Sequence, residues 1–177
     1  PLALHTNILS YLKLLSHLRF MLTTFTASLL ISTCTMITIF SPFFMQKVLG
    51  SNPKTYGYIA LSFGVSWFLG NTANRFLLDF PIGKKTSLVL TSMSVFSSIL
   101  LFLPLYTVAN LWTILPPACA IIFSAAVLFP NYIARALANF KDIPGAANAL
   151  LFSFSWLITC AELIIKLLTV ISTTLLP

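Results

Sequence analysis

Charged residues are scarce in this sequence, and acidic ones are the scarcest. Asp, Glu, Lys and Arg together make up 7% of the 177 residues, and only three residues are acidic. In a soluble domain about a quarter of the residues are charged, so this chain has too few charges to cover a water-exposed surface. Hydrophobic residues make up 58% of the chain and its mean hydropathy is +0.98. Such values are typical of a protein whose surface faces lipid.

The longest stretch without charge lies between Lys85 and Arg135 and contains 49 residues. As one helix it would measure roughly 74 Å, against a bilayer core of about 30 Å. The chain must therefore cross and return, and polar residues at Tyr106–Asn110 and the pair Pro116–Pro117 interrupt the stretch. Because unpaired backbone groups in lipid cost several kcal/mol each, the spans must be helices or strands of a closed barrel. The alternation of barrel strands is missing, which predicts an all-α polytopic membrane protein.

Apolar segments predict a short lead-in followed by five membrane-spanning helices. Residues 1–19 are mildly amphipathic and are interpreted as a cytoplasmic interfacial helix, while residues 20–177 form the transmembrane bundle. The predicted spans are 20–44, 56–74, 86–106, 110–133 and 146–171. Only six residues follow the fifth span, too few for another crossing.

Basic residues between the spans predict the orientation. If the N-terminus is cytoplasmic, seven basic residues lie on the inner side: Lys13, Arg19, Arg75, Lys84, Lys85, Arg135 and Lys141. Three lie on the outer side or in the outer part of the last span: Lys47, Lys54 and Lys166. Cytoplasmic loops are enriched in Lys and Arg, so the N-terminus is expected inside and the C-terminus outside the inner (plasma) membrane. The basic residues follow no single face, and no nucleic-acid partner is expected.

Cysteines, histidines and nucleophiles point to no catalytic chemistry. Cys34, Cys119 and Cys160 lie in apolar segments without metal-ligand spacing and are interpreted as packing residues. His5 and His17 are interpreted as solvated interfacial side chains rather than metal ligands or pH sensors. The sequence has no nucleophile with a neighbouring base, no metal cluster and no phosphate-binding loop. An enzyme is therefore not expected, and neither is a cofactor or metal site.

The first two spans carry residues that favour contact between helices. Nine hydroxyl side chains between Thr23 and Ser41 predict a face that turns toward protein or water rather than lipid. The second span places Ala60 four residues before Gly64 and Ser66 four residues before Gly70. Small residues at this spacing allow two helices to approach closely.

Glu162 and Lys166 lie inside the fifth span. Ionisable residues within spans are rare and are candidates for function. Glu followed by Lys four residues later is also the favourable order for an ion pair on one helix, with Lys166 extending toward water. Neutralisation of the pair is the favoured interpretation, because a paired carboxylate stays ionised and is a poor proton carrier. The alternative is a role in transport.

Polar motifs recur in two predicted inner loops. The second span ends in Gly70, Asn74 and Arg75, which are followed by Asp79 and by Gly83-Lys84-Lys85. Basic residues complement the negative end of a helix dipole, and the four-residue spacing allows Asp79 to pair with Arg75. Gly83 permits a tight turn into the next helix.

The second motif joins the fourth and fifth spans. Phe129-Pro130-Asn131 precedes Arg135, and Pro144-Gly145 opens a run from Ala146 to Ala149 that includes Asn148. Pro130 removes one helical hydrogen bond, and Asn131 is placed to satisfy the freed carbonyl group. The small residues of the run predict tight packing at the start of the fifth span.

These motifs together resemble the C-terminal half of the major facilitator superfamily. The resemblance is closest to the drug–proton antiporters of the bicyclomycin/chloramphenicol-resistance type. It rests on Tyr11–Arg19, Tyr56-Gly57-Tyr58, Gly70-x-x-x-Asn74 with Gly83-Lys84-Lys85, Phe129-Pro130-Asn131 and Gly145–Ala149. The Gly83 loop is similar to the second copy of the superfamily's cytoplasmic motif, with Asn74 in place of the acidic residue and a longer spacing from Arg75 to Gly83.

The resemblance implies a partial secondary active transporter. The five spans would correspond to the seventh to eleventh of twelve helices, and a chain opening at Pro1 is expected to be a fragment or processed product. The intact relative would export small hydrophobic or amphiphilic substrates, including drugs, in exchange for protons. Its expected partners are the lipid bilayer, the substrate, protons and an N-terminal six-helix half. The fragment is expected to be inactive alone, because the cavity of such transporters lies between two halves.

The motifs and the resemblance nominate two sets of residues. Candidates for the substrate or proton pathway are Glu162, Lys166, Asn131 and Asn148. Candidates for a conformational loop are Gly70, Asn74, Arg75, Asp79, Gly83, Lys84 and Lys85. The alternative to a transporter is a self-contained small membrane protein that acts as a channel subunit or an assembly partner.

Overall fold

The computed structural model describes residues 11–106, 110–140 and 142–175, and its secondary structure is helical. The helices are α1 Leu18–Phe43, α2 Pro53–Phe76, α3 Ile82–Tyr106, α4 Leu111–Leu137 and α5 Pro144–Leu175, and a π-helical turn Phe44–Val48 follows α1. Within these described ranges no strand is present. The predicted all-α polytopic fold class is therefore confirmed.

The predicted lead-in is only partly described. Residues 11–16 are helical, whereas residues 1–10, including His5, lie outside the described residues. Lys141, which contributes to the predicted charge asymmetry, also lies outside them. The five predicted spans each fall on one of the helices α1–α5 with shifts of a few residues at their ends.

Local sequence signals explain several helix ends. Asn52 caps α2, because its Oδ1 accepts a hydrogen bond of 3.0 Å from the backbone N–H of Lys54, and Pro53 fills the first helical position. Gly50, with φ +63°, makes the turn before this cap. The pair Pro116–Pro117 does not end a helix, because α4 continues through it and through Pro130.

Among the residues that the structure describes, four segments are long and apolar enough to cross a membrane. They are Leu18–Lys47, Ile82–Leu103, Leu111–Leu137 and Pro144–Thr169, of 30, 22, 27 and 26 residues. About 20 residues suffice to span a bilayer core. Helix α2 has 24 residues but is less apolar, because it carries Asn71, Thr72 and Asn74 near its end. The chain is thus a helical membrane protein with at least four candidate crossings.

The helices form two compact units. The first contains the described parts of Pro1–Met36 and Asn131–Pro177, and the second contains Ile37–Pro130. In the first unit, the buried core consists of Leu14, Phe20, Ala136, Phe140, Ala147 and Leu151. In the second unit α4 is the central helix, since half of the residues in its most apolar stretch are buried, against 6% of those in the corresponding stretch of α3. Large side chains of α3 such as Leu88 and Leu101 are exposed, as expected for a lipid-facing helix.

Contacts within each unit show which helices run in the same direction. In the first unit, Ser28 of α1 contacts Ser155 of α5, and Ser32 one turn later contacts Glu162 further along α5. In the second unit, Ser62 of α2 lies 3.6 Å from the sulfur of Cys119 in α4. Further along both helices, Gly70 of α2 packs against Phe123 and Ala126 of α4. Both pairs of helices are therefore parallel.

The predicted close approach through small residues is confirmed at Gly70 and wrong at Gly64. A Cβ at Gly70 would meet the backbone carbonyl oxygen of Phe123, and would lie 2.7 Å from the Cβ of Ala126. Gly64 is exposed, and a Cβ there would meet nothing within 4 Å. The two glycines differ because only Gly70 lies on the face of α2 that packs against α4.

Gly70→Ala is expected to destabilise the second unit, whereas Gly64→Ala is not. The added methyl group at Gly70 presses on backbone that cannot rotate away, and such overpacking costs about 1–3 kcal/mol. Gly64→Ala is the matched control, because a Cβ at this position meets nothing within 4 Å. There alanine should stabilise the helix by up to about 1 kcal/mol relative to glycine. Thermal unfolding of the purified chain in detergent measures both. Equal transition temperatures for the two variants would contradict the close contact.

Candidate functional site

Glu162 is held between two helices of the first unit. It lies on α5 and is half-buried, and its Oε2 accepts a hydrogen bond of 2.5 Å from the hydroxyl group of Ser32 on α1. Ser32 is completely buried. A carboxylate inside an apolar bundle is costly unless it is hydrogen-bonded, and a hydroxyl donor to a charged oxygen gives one of the stronger bonds. Ser32 thus provides what the carboxylate needs to remain there.

Helix α1 presents a row of buried hydroxyl groups to α5. Thr24, Ser28 and Ser32 are spaced four residues apart, so they lie on one helix face, and each is at most 1% exposed. The hydroxyl oxygens of Ser28 and Ser155 lie 3.0 Å apart. The predicted hydroxyl face therefore turns toward protein at these three positions.

Helix α5 presents a matching row. Ser155, Thr159 and Glu162 fall on one face at intervals of four and three residues. The hydroxyl groups of Ser155 and Thr159 also donate to the backbone carbonyls of Leu151 and Ser155, each at 2.9 Å. We call the six residues Thr24, Ser28, Ser32, Ser155, Thr159 and Glu162 the polar seam.

One hydroxyl group of the polar seam has an unusual environment. Within the described residues, the buried Oγ1 of Thr24 has no hydrogen-bond partner. Burying a polar atom without a hydrogen-bond partner lowers stability by about 1–3 kcal/mol, so packing alone does not explain why a threonine is present at this position. Other hydroxyls of α1, such as Thr26, Thr33 and Thr35, instead donate to backbone carbonyls of their own helix at 2.9 Å.

Lys166 is exposed, one turn beyond Glu162 on α5. The hydrogen bond from Ser32 accounts for the half-buried carboxylate without Lys166. The structure therefore gives Glu162 a partner on another helix, which the interpretation of a neutralised pair did not include.

The polar seam is chemically suited to hold a proton. A carboxyl group binds and releases one proton, and each hydroxyl group both donates and accepts a hydrogen bond. Glu162 lies about 27 Å along α5 from Pro144, at 18 residues and ~1.5 Å each, which places it in the far half of the span. The carboxyl group therefore lies nearer the end of α5 that is predicted to face outside.

The candidate loop residues separate into a buried and an exposed group. Lys85 is 3% exposed, and its Nζ donates a hydrogen bond of 3.1 Å to Oδ1 of Asn74, which is 7% exposed. Gly70 lies one turn before Asn74 on α2 and packs against α4. The remaining candidates Arg75, Asp79, Gly83 and Lys84 are exposed.

Burial of Lys85 distinguishes it from its neighbour Lys84. Sequence reasoning placed Gly83, Lys84 and Lys85 in an inner loop with a tight turn at Gly83, which is wrong. All three lie in the first turn of α3, which begins at Ile82, and Lys85 is buried against Asn74. The other two pathway candidates are not part of the polar seam: Asn131 is half-buried and Asn148 is exposed.

Sequence reasoning did not single out Ser155 and Thr159. A signal was available, because Ser155, Thr159 and Glu162 recur at intervals of four and three residues, and Thr24, Ser28 and Ser32 recur every four residues, so each set lies on one face of its helix. A polar row on one face of each of two apolar helices predicts contact between those helices.

Comparison with models of known protein families, with curated proteins and with solved structures gives no match. Among the residues that the structure describes, no group of three or more His, Cys, Asp and Glu side chains is placed to hold a metal ion.

Proposed function

We propose that this chain is part of a secondary active transporter and that Glu162 is its proton-binding group. The observation that carries the proposal is the hydrogen bond from Ser32 to Glu162 between two apolar helices. Carboxylates within membrane spans typically belong to proton or ion pathways. The hydroxyl groups of the polar seam continue from Glu162 along the same two helices. A carboxylate with a purely structural role would not need this row of hydroxyl groups.

The resemblance to drug–proton antiporters of the major facilitator superfamily gives the proposal its substrate class. A small hydrophobic or amphiphilic molecule would leave the cell as a proton enters. The cavity of such transporters lies between two six-helix halves, so this chain would supply one side of it. The proposed partners are therefore a six-helix N-terminal half, the substrate and protons, in the plasma (inner) membrane.

The proposal includes five crossings, with the N-terminus in the cytoplasm and the C-terminus outside. Parallel packing of α2 against the central helix α4 supports α2 as a crossing helix despite its lower apolarity. The distribution of basic residues supports the orientation.

Reconstitution tests the proposed function. We expect vesicles that contain this chain alone to show no uncoupler-sensitive efflux of a hydrophobic dye. We expect efflux when a six-helix partner recovered by co-purification is added. Glu162→Gln should abolish it, because an amide binds no proton at physiological pH. Ser153→Ala is the matched control, since Ser153 is exposed on the same helix and lies outside the polar seam.

Two results would contradict the proposal. Full proton-coupled efflux by Glu162→Gln would exclude this residue as the proton-binding group. Dye transport against a gradient, or ion conduction, by a homo-oligomer of the chain alone would favour the self-contained membrane protein instead.

A further inference from the structure

A cavity of about 200 Å³ in the first unit brings two arginines together. It is lined by Arg19, Thr23, Arg135, Ala138 and Asn139. Arg19 is in the first turn of α1 and Arg135 in the last turn of α4, so residues more than 100 positions apart in sequence meet here. The lining contains two guanidinium groups, a hydroxyl group and a carboxamide group, and no carboxylate. This site is separate from the polar seam and does not depend on the proposed function.

The neighbouring aromatic core fixes the backbone on which both exposed arginines stand. The ring of Phe140 makes edge-to-face contacts with Phe20 and His17, with centroids 5.3 Å apart in each case. Phe20 follows Arg19 and Ala136 follows Arg135, and both are buried in the same core as Phe140. The arginine backbones are thus held by a packed cluster rather than by flexible loops.

The charges at this cavity are uncompensated by the lining. Arg19 and Arg135 are both exposed at the mouth of this cavity, and their like charges repel each other, with water screening part of the repulsion. Arg19 also lies at the N-terminal end of α1, where the helix dipole disfavours a cation. The helix dipole favours Arg135 in the last turn of α4 but does not favour Arg19, and an anion bound in the cavity would remove the repulsion between the two.

We propose that this cavity binds a phosphate group that carries a net negative charge. Guanidinium groups form paired hydrogen bonds with phosphate oxygens, and Arg19 and Arg135 both line this cavity. The Asn139 amide adds a neutral donor. Thr23 donates to the backbone carbonyls of Arg19 and Phe20, at 2.8 and 2.9 Å, so its oxygen is left to accept a hydrogen bond. Such an acceptor fits a ligand that carries hydroxyl groups beside its phosphate.

The position of the cavity favours an anionic lipid headgroup as the source of the phosphate. The apolar segment of α1 begins at Leu18, so Arg19 lies at the boundary between the span and water. Lipid phosphates lie at this depth, and anionic lipids attract basic residues there. A soluble phosphate ion has the same chemistry and is distinguished by competition.

Lipid retention by the purified full chain tests the site. The chain is equilibrated in detergent micelles containing equal amounts of phosphatidylglycerol and phosphatidylcholine of identical acyl chains, and retained lipids are counted by native mass spectrometry. We expect one retained phosphatidylglycerol in preference to phosphatidylcholine. Arg19→Gln and Arg135→Gln should each weaken retention about tenfold, because each removes charge-assisted hydrogen bonds. Arg75→Gln is the matched control, because Arg75 is also an exposed arginine but belongs to the second unit and does not line the cavity.

Titration with inorganic phosphate separates the two sources. Retention of phosphatidylglycerol that persists in millimolar phosphate identifies a lipid site. Displacement by phosphate, with loss of the effect in both arginine variants, identifies a site for the soluble anion. Equal retention of both lipids by the wild-type chain, without stabilisation by inorganic phosphate, would overturn the proposal and needs no variant to fold.

Discussion

A cysteine placed at Ser51 will react with a membrane-impermeant maleimide from the outside, and one placed at Lys84 or Asp142 will react only from the cytoplasm. The measurement uses a background without Cys34, Cys119 and Cys160, in intact cells and in cells permeabilised before labelling. The expected contrast is all-or-none, because helix α2 either carries the chain across the membrane between Ser51 and Lys84 or does not.

The direction of α5 relative to α1 is the physical reason for this expectation. Both helices are apolar enough to cross, and their contacts at Ser28–Ser155 and Ser32–Glu162 show that they run parallel. If α1 runs outward, then α5 also runs outward and must begin on the inner side. The chain between them must therefore cross an odd number of times. If α3 and α4 are two of these crossings, as their length and apolarity allow, the proposed topology requires α2 to be the third.

Labelling of Ser51 and Lys84 from the same side would contradict this account. Helix α2 would then lie along the surface, and four crossings would remain. That arrangement would make α1 and α5 antiparallel in the membrane, against the contacts of the polar seam. A cysteine at exposed Asn110, between α3 and α4, provides an independent control because it should behave like Ser51.

The sequence predicted the helices well because their signal is local. Each crossing needs about 20 consecutive apolar residues, and such a run is visible without knowledge of its neighbours. Caps were equally local: Asn52 and Pro53 begin α2 as their chemistry favours. Helix α2 is less apolar, so its proposed crossing depends on contacts with α4, which cannot be read from the α2 segment alone.

Which face of each helix meets a neighbour was less predictable, because the apolar residues surround these helices almost completely. Gly64 and Gly70 both lack a side chain and would allow another helix to approach, yet only Gly70 packs against a neighbouring helix. Lys84 and Lys85 are adjacent, yet only Lys85 is buried against Asn74. In a lipid environment hydrophobicity does not distinguish the packed face from the exposed one, so polar and small residues are the remaining signal.

The Glu162 site shows the same limit. The sequence offered one partner for Glu162, namely Lys166 on the same helix, because spacing within a helix is readable directly. Ser32 is 130 residues away in sequence and becomes a partner only when α1 packs against α5. The structure adds to both interpretations of Glu162 a hydrogen-bond donor, Ser32, that does not depend on Lys166.

Removal of the Ser32 hydroxyl group is therefore expected to lower the stability of the chain more than removal of the Lys166 charge. Ser32→Ala leaves the half-buried carboxylate without its donor, and a hydrogen bond to a charged group contributes about 1.5–3 kcal/mol. Lys166→Met removes an exposed ammonium group and should change stability little. Protease-resistant yield in membranes and thermal unfolding in detergent measure both effects.

The double variant Ser32→Ala/Glu162→Gln separates this arrangement from an ion pair. With the carboxylate replaced by a neutral amide, the missing hydroxyl should cost much less, so the double variant should recover most of the yield that Ser32→Ala loses. An ion pair gives the opposite pattern. Lys166→Met would then be the damaging single change, because it leaves a carboxylate unpaired, and Glu162→Gln/Lys166→Met would recover the yield. That second pattern would exclude Ser32 as the principal partner of Glu162. Glu162 would then no longer count as part of the polar seam.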